Sequence, residues 1–369
     1  MHLWRGLAFG LVLACVSGAS ALATPRYAAR YNQDCNLCHV SPTGGGMRTA
    51  YAAQFLIPME MAMKPTPESA MENLDPQISP AISIGADLRT FYMYSEDKAY
   101  RDGFFEMQGD FYTRIEVDPR FTIYLDQGMT QTRELYGMGY LLPANGYVRV
   151  GRFIPAFGWI SDDHTLFVRE MLGFAPPAHT DTGIELGTHP GSAVLNLGLM
   201  NGAGGLAQDN DHRLAAFLRS AIRQRVFDAS LTLGGSFSYS ESDAGPRRLG
   251  GPFGSASIGP LTWVGEMDWL HAPVEGIEGG TPDALVTSHE LFFQLRRGLS
   301  LRATYDFYDP DIDTESGALS AYGVGVDALI YPFLGLQAMA VKRETDEGPG
   351  ISALAQEYFQ PRLQAHFLF

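Results

Sequence analysis

From Ile82 to the end of the chain, apolar and polar residues alternate with a period of two and almost no helical period survives, which predicts β-strands. The clearest stretch runs from Phe105 to Val117. Phe105, Met107, Phe111, Ile115 and Val117 fall on one face, and Glu106, Gln108, Asp110, Arg114 and Glu116 on the other. The last segment repeats the pattern, with Phe359, Leu363, Ala365, Phe367 and Phe369 opposite Gln360, Arg362, Gln364, His366 and Leu368. A soluble sandwich would also alternate, so the connections decide. Short turns near 118–120, 143–146, 189–191, 224–228, 259–260, 297–298 and 332–333 alternate with longer segments at 155–181, 202–211, 241–251, 272–285, 310–318 and 345–356. That is the arrangement of an outer-membrane barrel with periplasmic turns and extracellular loops.

On this register the strands lie near 82–95, 104–117, 121–131, 134–142, 147–154, 182–189, 192–201, 213–224, 229–240, 252–259, 261–271, 286–297, 300–309, 319–332, 335–344 and 357–369. The count is sixteen, or fourteen without the pair spanning 121–142. The expected fold class is therefore all-β: a transmembrane antiparallel up-and-down β-barrel of 14–16 strands over residues 81–369, with both ends on the periplasmic side. Phe369, with Phe367 two before it, resembles the C-terminal signal of barrels inserted into the outer membrane.

Residues 1–23 read as a signal peptide, because Arg5 precedes an apolar run from Leu7 to Val16 and then Ala21-Leu22-Ala23, an A-x-A cleavage site. The run is shorter than the ~20 apolar residues of a spanning helix. Cys15 is a weak lipidation candidate, with Leu13 a poor fit. Residues 24–80 differ from the barrel: two short helix-like stretches, around Tyr27–Tyr31 and Met47–Leu56, lead into a connector with Pro58, Pro65, Pro67, Pro76 and Pro80. So small a segment needs another wall to enclose a ligand. Composition removes one class of partner: 26 Lys+Arg stand against 41 Asp+Glu, net −15, with no basic tract, which excludes nucleic acid.

Two of the three cysteines sit in Cys35-Asn36-Leu37-Cys38-His39, the C-x-x-C-H pattern of covalent haem attachment. Two thiols at this spacing can add to the two vinyl groups of one porphyrin edge, while His39 supplies an axial imidazole to the iron. A disulfide or a thiol redox pair is the alternative, and neither accounts for His39. The expected cofactor is one haem c held by Cys35, Cys38 and His39. Met47 is the first candidate for a distal axial ligand, followed by Met59, Met61 and Met63; a five-coordinate iron or a distant His are the alternatives. The Thr43-Gly44-Gly45-Gly46 stretch permits a tight turn beside a porphyrin. A barrel of this size has room for a plug, so residues 24–80 are expected in its lumen or periplasmic mouth.

Together these features resemble the fused outer-membrane monohaem cytochrome–porins, whose best-known members are iron oxidases. Their haem segment typically reads A-x-P-x-F-A-R-Q-T-G-x-x-C-x-x-C-H. Pro25, Tyr27 and Ala28 stand at matching distances before Cys35, Cys38 and His39, whereas Ala29, Arg30, Tyr31 and Asn32 depart from that pattern. Separately, Val150-Gly151-Arg152-Phe153-Ile154-Pro155-Ala156-Phe157-Gly158 resembles the G-[RK]-F-x-x-P-F-G stretch of general and phosphate-selective porins, which places it in a strand leading into a long loop. The resemblance implies electron transfer across the outer membrane through the haem, with extracellular Fe(II) as a donor and a periplasmic carrier such as a soluble cytochrome as partner. The alternative is a solute-conducting porin whose haem segment is a structural or regulatory plug.

Acidic positions in the long connections, among them Asp162, Asp163, His164, Glu170, His179 and Asp181, and further on Asp309, Asp311, Asp313, Glu315, Glu344, Asp346 and Glu347, are candidates for concentrating cations; solvated loops are also often acidic. Arg213, Arg219 and Arg223 share a strand face and are candidates to pair with haem propionates or with Glu106, Asp110 and Glu116. No nucleotide, flavin or hydrolytic motif is present.

Overall fold

The computed structural model of the protein describes residues 25–94, 102–129, 132–161, 163, 165–175, 180–206, 208, 211–242, 245–273, 282–315, 317–346 and 357–369. The leader lies outside them, as do the candidates Cys15, Asp162, His164, His179 and Glu347.

The two-residue period folds into sixteen long antiparallel strands that close on themselves. A three-residue strand, β1 (Gln77–Ser79), leads in. The wall follows: β2 (Ile82–Met93), β3 (Gly103–Asp118), β4 (Phe121–Gly128), β5 (Thr132–Leu142), β6 (Gly146–Phe153), β7 (Asp181–Thr188), β8 (Ala193–Met200) and β9 (Ala215–Val226). It continues through β10 (Ala229–Ser242), β11 (Gly245–Ile258), β12 (Leu261–His271), β13 (Asp283–Arg296), β14 (Leu299–Asp309), β15 (Leu319–Tyr331), β16 (Leu334–Thr345) and β17 (Tyr358–Leu368). Each wall strand pairs with the next, and β17 pairs with β2, as in Phe367 opposite Leu88. Closure leaves the wall without the unpaired backbone that a bilayer penalises.

The burial pattern is that of a membrane barrel. On β8, Leu195, Leu197 and Leu199 are exposed while Val194, Asn196 and Met200 are buried, and Asn196 donates to the Tyr147 hydroxyl at 2.9 Å. On β17, Phe359, Leu363 and Phe367 face out while Gln360, Arg362 and His366 face in; His366 Nε2 lies 2.8 Å from Asp87 Oδ1.

Several expectations are corrected. The loop expected at 241–251 is mostly strand, because β10 and β11 extend in register until Ser242 meets Gly245; the β11–β12 ladder skips Gly251 and Pro252. The face assignment on β3 changes at a bulge, where the pairs Arg89–Gln108 and Thr90–Glu106 bracket Met107. Met107 consequently lines an interior cavity with Phe91, and Phe104 rather than Phe105 is the strongly exposed residue. The second helix begins later than expected. Val40 and Met47 pair through their backbones at 2.9 Å and His39 bridges Arg48, so the helix starts after Thr49, and its widened π-type part covers Ala52–Met61.

Residues 25–49 lie inside the wall as a plug tied to it at several points, and the segment that follows runs along the periplasmic turns with Tyr51, Phe55 and Met59 exposed. Arg26 pairs with Asp327 on β15 at 2.8 Å. Arg149 on β6, wholly buried, reaches Ser41 Oγ at 3.2 Å and pairs with Glu185 at 2.9 Å. Arg48 donates to the carbonyls of Pro332 and Leu368 at 2.6 and 3.0 Å, and Met63 N to Leu329 O at 2.8 Å. The segment after β6, expected as a solvated extracellular loop, instead turns inward. Its Phe157, Leu166, Phe167, Val168, Leu172 and Phe174 bury against Leu249, Val286, Leu319, Met339 and Val341 of the wall. Burying these side chains removes enough apolar surface from water to hold the loop inside.

Candidate functional site

The C-x-x-C-H motif lies on a single tight turn. Cys35–Leu37 forms a 3₁₀ turn, and the amides of Cys38 and His39 both donate to Cys35 O, at 3.1 and 2.9 Å. Thr49 locks this turn to the next helix, donating through Oγ1 to Leu37 O at 2.9 Å and accepting from Ala52 N at 3.2 Å. Gly44 runs so close to Cys35 that a Cβ there would lie 3.2 Å from Cys35 Cβ, at a φ of +100° that suits glycine.

Cys35, Cys38 and His39 together line one cavity inside the lumen. The first helix supplies Pro25, Tyr27, Ala28 and Tyr31, the inward loop supplies Trp159 and Ile160, and the wall supplies Arg219. Trp159 is fixed at three points: its amide donates to Glu266 at 2.7 Å, its indole N–H to Gly254 O at 3.1 Å, and its ring meets Phe253 edge-on. Arg219 Nε donates to Gly158 O at 2.8 Å, so its guanidinium joins the loop to the wall beside the cavity.

The electrostatics around the motif are set by Asp34. Its carboxylate accepts from both guanidinium nitrogens of Arg223, Nη2 at 2.6 Å, and from His189 Nδ1 at 3.1 Å. Burial pushes its pKa up, but the His189 hydrogen bond and the charge of Arg223 outweigh that and hold it below the usual carboxylate range. Both thiols are free and half-buried. Burial raises Cys35 and pushes Cys38 up to about 11, so at neutral pH both are thiols rather than thiolates. His39 is buried, with Nδ1 3.3 Å from Gly46 O; a proton on Nδ1 puts the ring's lone pair on Nε2, the usual arrangement for a metal-binding imidazole.

The donor set fits a c-type haem: two thiols and one imidazole on one wall, aromatic and aliphatic side chains on the others, and one arginine for an anionic substituent. The structure does not bring Met47 to this cavity. Its side chain packs between Gly85 and Tyr112 in a cluster with Val40, Tyr124 and Leu368, and its amide donates to the Tyr124 hydroxyl at 3.1 Å. Met59 is exposed and Met61 is buried against Leu56 and Leu329. Among the described residues the cavity lining contains no methionine and no histidine besides His39.

Of the arginine candidates, Arg219 faces the cavity and Arg223 holds Asp34; of the acids proposed for them, Asp110 pairs with Arg133 at 2.9 Å and Glu116 with Arg114. The acids of the inward loop are likewise committed: Asp163 pairs with Arg302 at 2.7 Å and Glu170 with Arg343 at 3.0 Å. Among the described residues no three His, Cys, Asp or Glu side chains gather to hold a metal ion. Sequence reading missed Asp34 and the roof formed by Trp159 and Ile160. The density of aromatic and aliphatic residues from Phe157 to Phe174 was the available signal, since a solvated loop has no use for it.

No protein-family model and no curated protein matches the chain. Among solved structures it is similar to the outer-membrane protein OmpT of Vibrio cholerae, at 13% identity over 80% of this chain and 100% of that one, with a TM-score of 0.57. It is also similar to an anion-selective porin from Comamonas acidovorans, at 11% identity over 78% and 99% with a TM-score of 0.57. OprB of Pseudomonas putida matches at 8% identity over 78% and 94%, with a TM-score of 0.59. At such identities the likeness is one of fold, and the chain is a porin-like β-barrel of the bacterial outer membrane.

Proposed function

We propose that this barrel carries one covalent haem c in its plug and passes electrons across the outer membrane. The observation that carries the reading is the convergence of Cys35, Cys38 and His39 on one cavity enclosed by the lumen. Cys35 and Cys38 would hold the haem as thioethers and His39 would ligate its iron, while Arg219 would offset a propionate charge. When bound, the haem supplies a one-electron iron couple. The residues do the remainder: Asp34 anchors the motif to β9, Trp159 and Ile160 close the cavity against the exterior, and Tyr27 and Tyr31 form its side walls. The hydrocarbon layer is ~30 Å thick, so a redox centre within the lumen shortens the distance to carriers on either side. The proposed donor is extracellular Fe(II) and the proposed acceptor a periplasmic carrier such as a soluble cytochrome, following the sequence resemblance.

A second reading is a solute channel whose haem segment is a structural or regulatory plug. The likeness to porin folds favours this reading over the first. The two are separated in proteoliposomes enclosing an oxidised soluble cytochrome, with Fe(II) outside. Reduction of the enclosed cytochrome that is lost in His39→Ala supports electron transfer. A haem that responds to dithionite but exchanges no electrons with iron or the cytochrome supports the plug.

A further inference from the structure

A single peptide group of the plug stands between the motif histidine and the barrel wall. Gly46 supplies its carbonyl, which lies 3.3 Å from His39 Nδ1. Met47 supplies its N–H, which donates to the Tyr124 hydroxyl on β4 at 3.1 Å. With the proton on Nδ1, the imidazole donates to this carbonyl, and one run of hydrogen bonds leads from the ring through the amide to the wall.

Each member of this run is held in place. Val40 N donates to Met47 O at 2.9 Å and Thr49 N to Cys38 O at 2.9 Å, so the peptide is fixed within the plug's own short bridge beside the motif. Tyr124 is wholly buried, and its ring stacks between those of Tyr112 and Tyr136, with centroids 6.4 and 5.1 Å away. The close approach also requires a glycine: a Cβ at position 46 would run into the Tyr124 hydroxyl, and φ there is +63°.

A carbonyl becomes a better acceptor when the N–H of its own amide is donating, because the resonance of the peptide carries charge to oxygen. A better acceptor at Nδ1 fixes the ring's tautomer and makes Nε2 more basic. We propose that Tyr124 is a positioning residue for His39, acting through the Gly46–Met47 peptide, so that the barrel wall tunes the axial ligand of the haem. The inference rests on the haem reading and deepens it by naming a wall residue that sets the potential of the site. A more basic imidazole favours the oxidised iron, so the Tyr124 hydroxyl lowers the midpoint potential.

Tyr124→Phe gives the test, because it keeps the stacked ring and removes only the acceptor. Tyr112→Phe is the control: its hydroxyl accepts from Gln108 at 3.2 Å rather than from the plug. The full haem-loaded chain, purified from outer membranes, is compared by resonance Raman of the reduced protein and by spectroelectrochemical titration. In Tyr124→Phe the iron–imidazole stretch is expected at lower frequency. The midpoint potential should rise by about 30 mV, a roughly threefold change in the ratio of oxidised to reduced protein. The control should leave both where they are in wild type. Heat-modifiable migration shows that the variant is folded, and Tyr124→Leu, which also lacks the acceptor, replaces it if it is not. Either readout unmoved in a folded, haem-loaded variant, or the same shifts in the control, overturns the inference and leaves the haem reading intact. A wild-type chain without covalent haem removes the haem reading and this inference with it.

Discussion

Asp34 shows how much rests on single residues. Its carboxylate joins the plug to Arg223 and His189, which lie on β9 and in a short periplasmic turn. Removing one partner of such a buried pair leaves the other charge uncompensated, at a cost of about 3 kcal/mol, a factor of ~100 in the opening equilibrium. Asp34→Asn is therefore expected to raise the rate at which protease on the periplasmic side cleaves the plug by roughly that factor. The same contact sets a pH dependence. Because the folded-state pKa is lowered, its stabilisation is complete above the unfolded value of ~3.9 and fades as pH falls through the folded value. Plug cleavage should rise in wild type on acidification below about pH 4, and the Asn variant should lack that rise. That Cys35, Cys38 and His39 share one turn was legible in the sequence because their spacing is local. Asp34 was not, because its partners lie 155 and 189 residues away and no local pattern encodes them.

At the scale of elements, the strands were the most legible part. All sixteen wall strands were placed from alternation and the turns between them, including the pair spanning 121–142, because one face meets lipid and the other the lumen. The bulge at Met107 escaped, since a one-residue insertion flips faces without changing composition. The inward loop is the functional gain from the structure: Trp159 forms the outward wall of the cysteine cavity. Trp159→Ala opens that wall to water, which favours the more charged oxidised state of a haem beneath it. A lower midpoint potential in spectroelectrochemical titration is expected, with the covalent attachment retained. An unchanged potential would show that Trp159 does not shield the cofactor. Among the described residues the lining of the cavity offers one imidazole and no thioether. The reduced protein is accordingly expected to bind carbon monoxide rapidly, seen as a shift of its Soret band. Replacing Met47 with Leu should leave that band unchanged.

For the whole molecule, the enclosure of the motif has a consequence for assembly. Both thiols sit inside a closed barrel, under the inward loop and behind the plug's own helices, with burial keeping them protonated. On the proposed reading, haem attachment must then precede closure of the barrel. A chain folded without haem should fail to form thioethers when haem and reductant are added, and its cysteines should alkylate slowly at pH 8 until the barrel is unfolded. The account as a whole is tested most directly by one spectrum. The protein, produced with the c-type maturation machinery and purified from outer membranes, is denatured, extracted with acidic acetone and measured as its pyridine haemochrome. The prediction is a c-type spectrum of about one haem per chain that survives extraction and disappears when Cys35 and Cys38 are both replaced by Ala. A folded barrel without extraction-resistant haem would contradict the account and leave a porin-like channel closed by a plug.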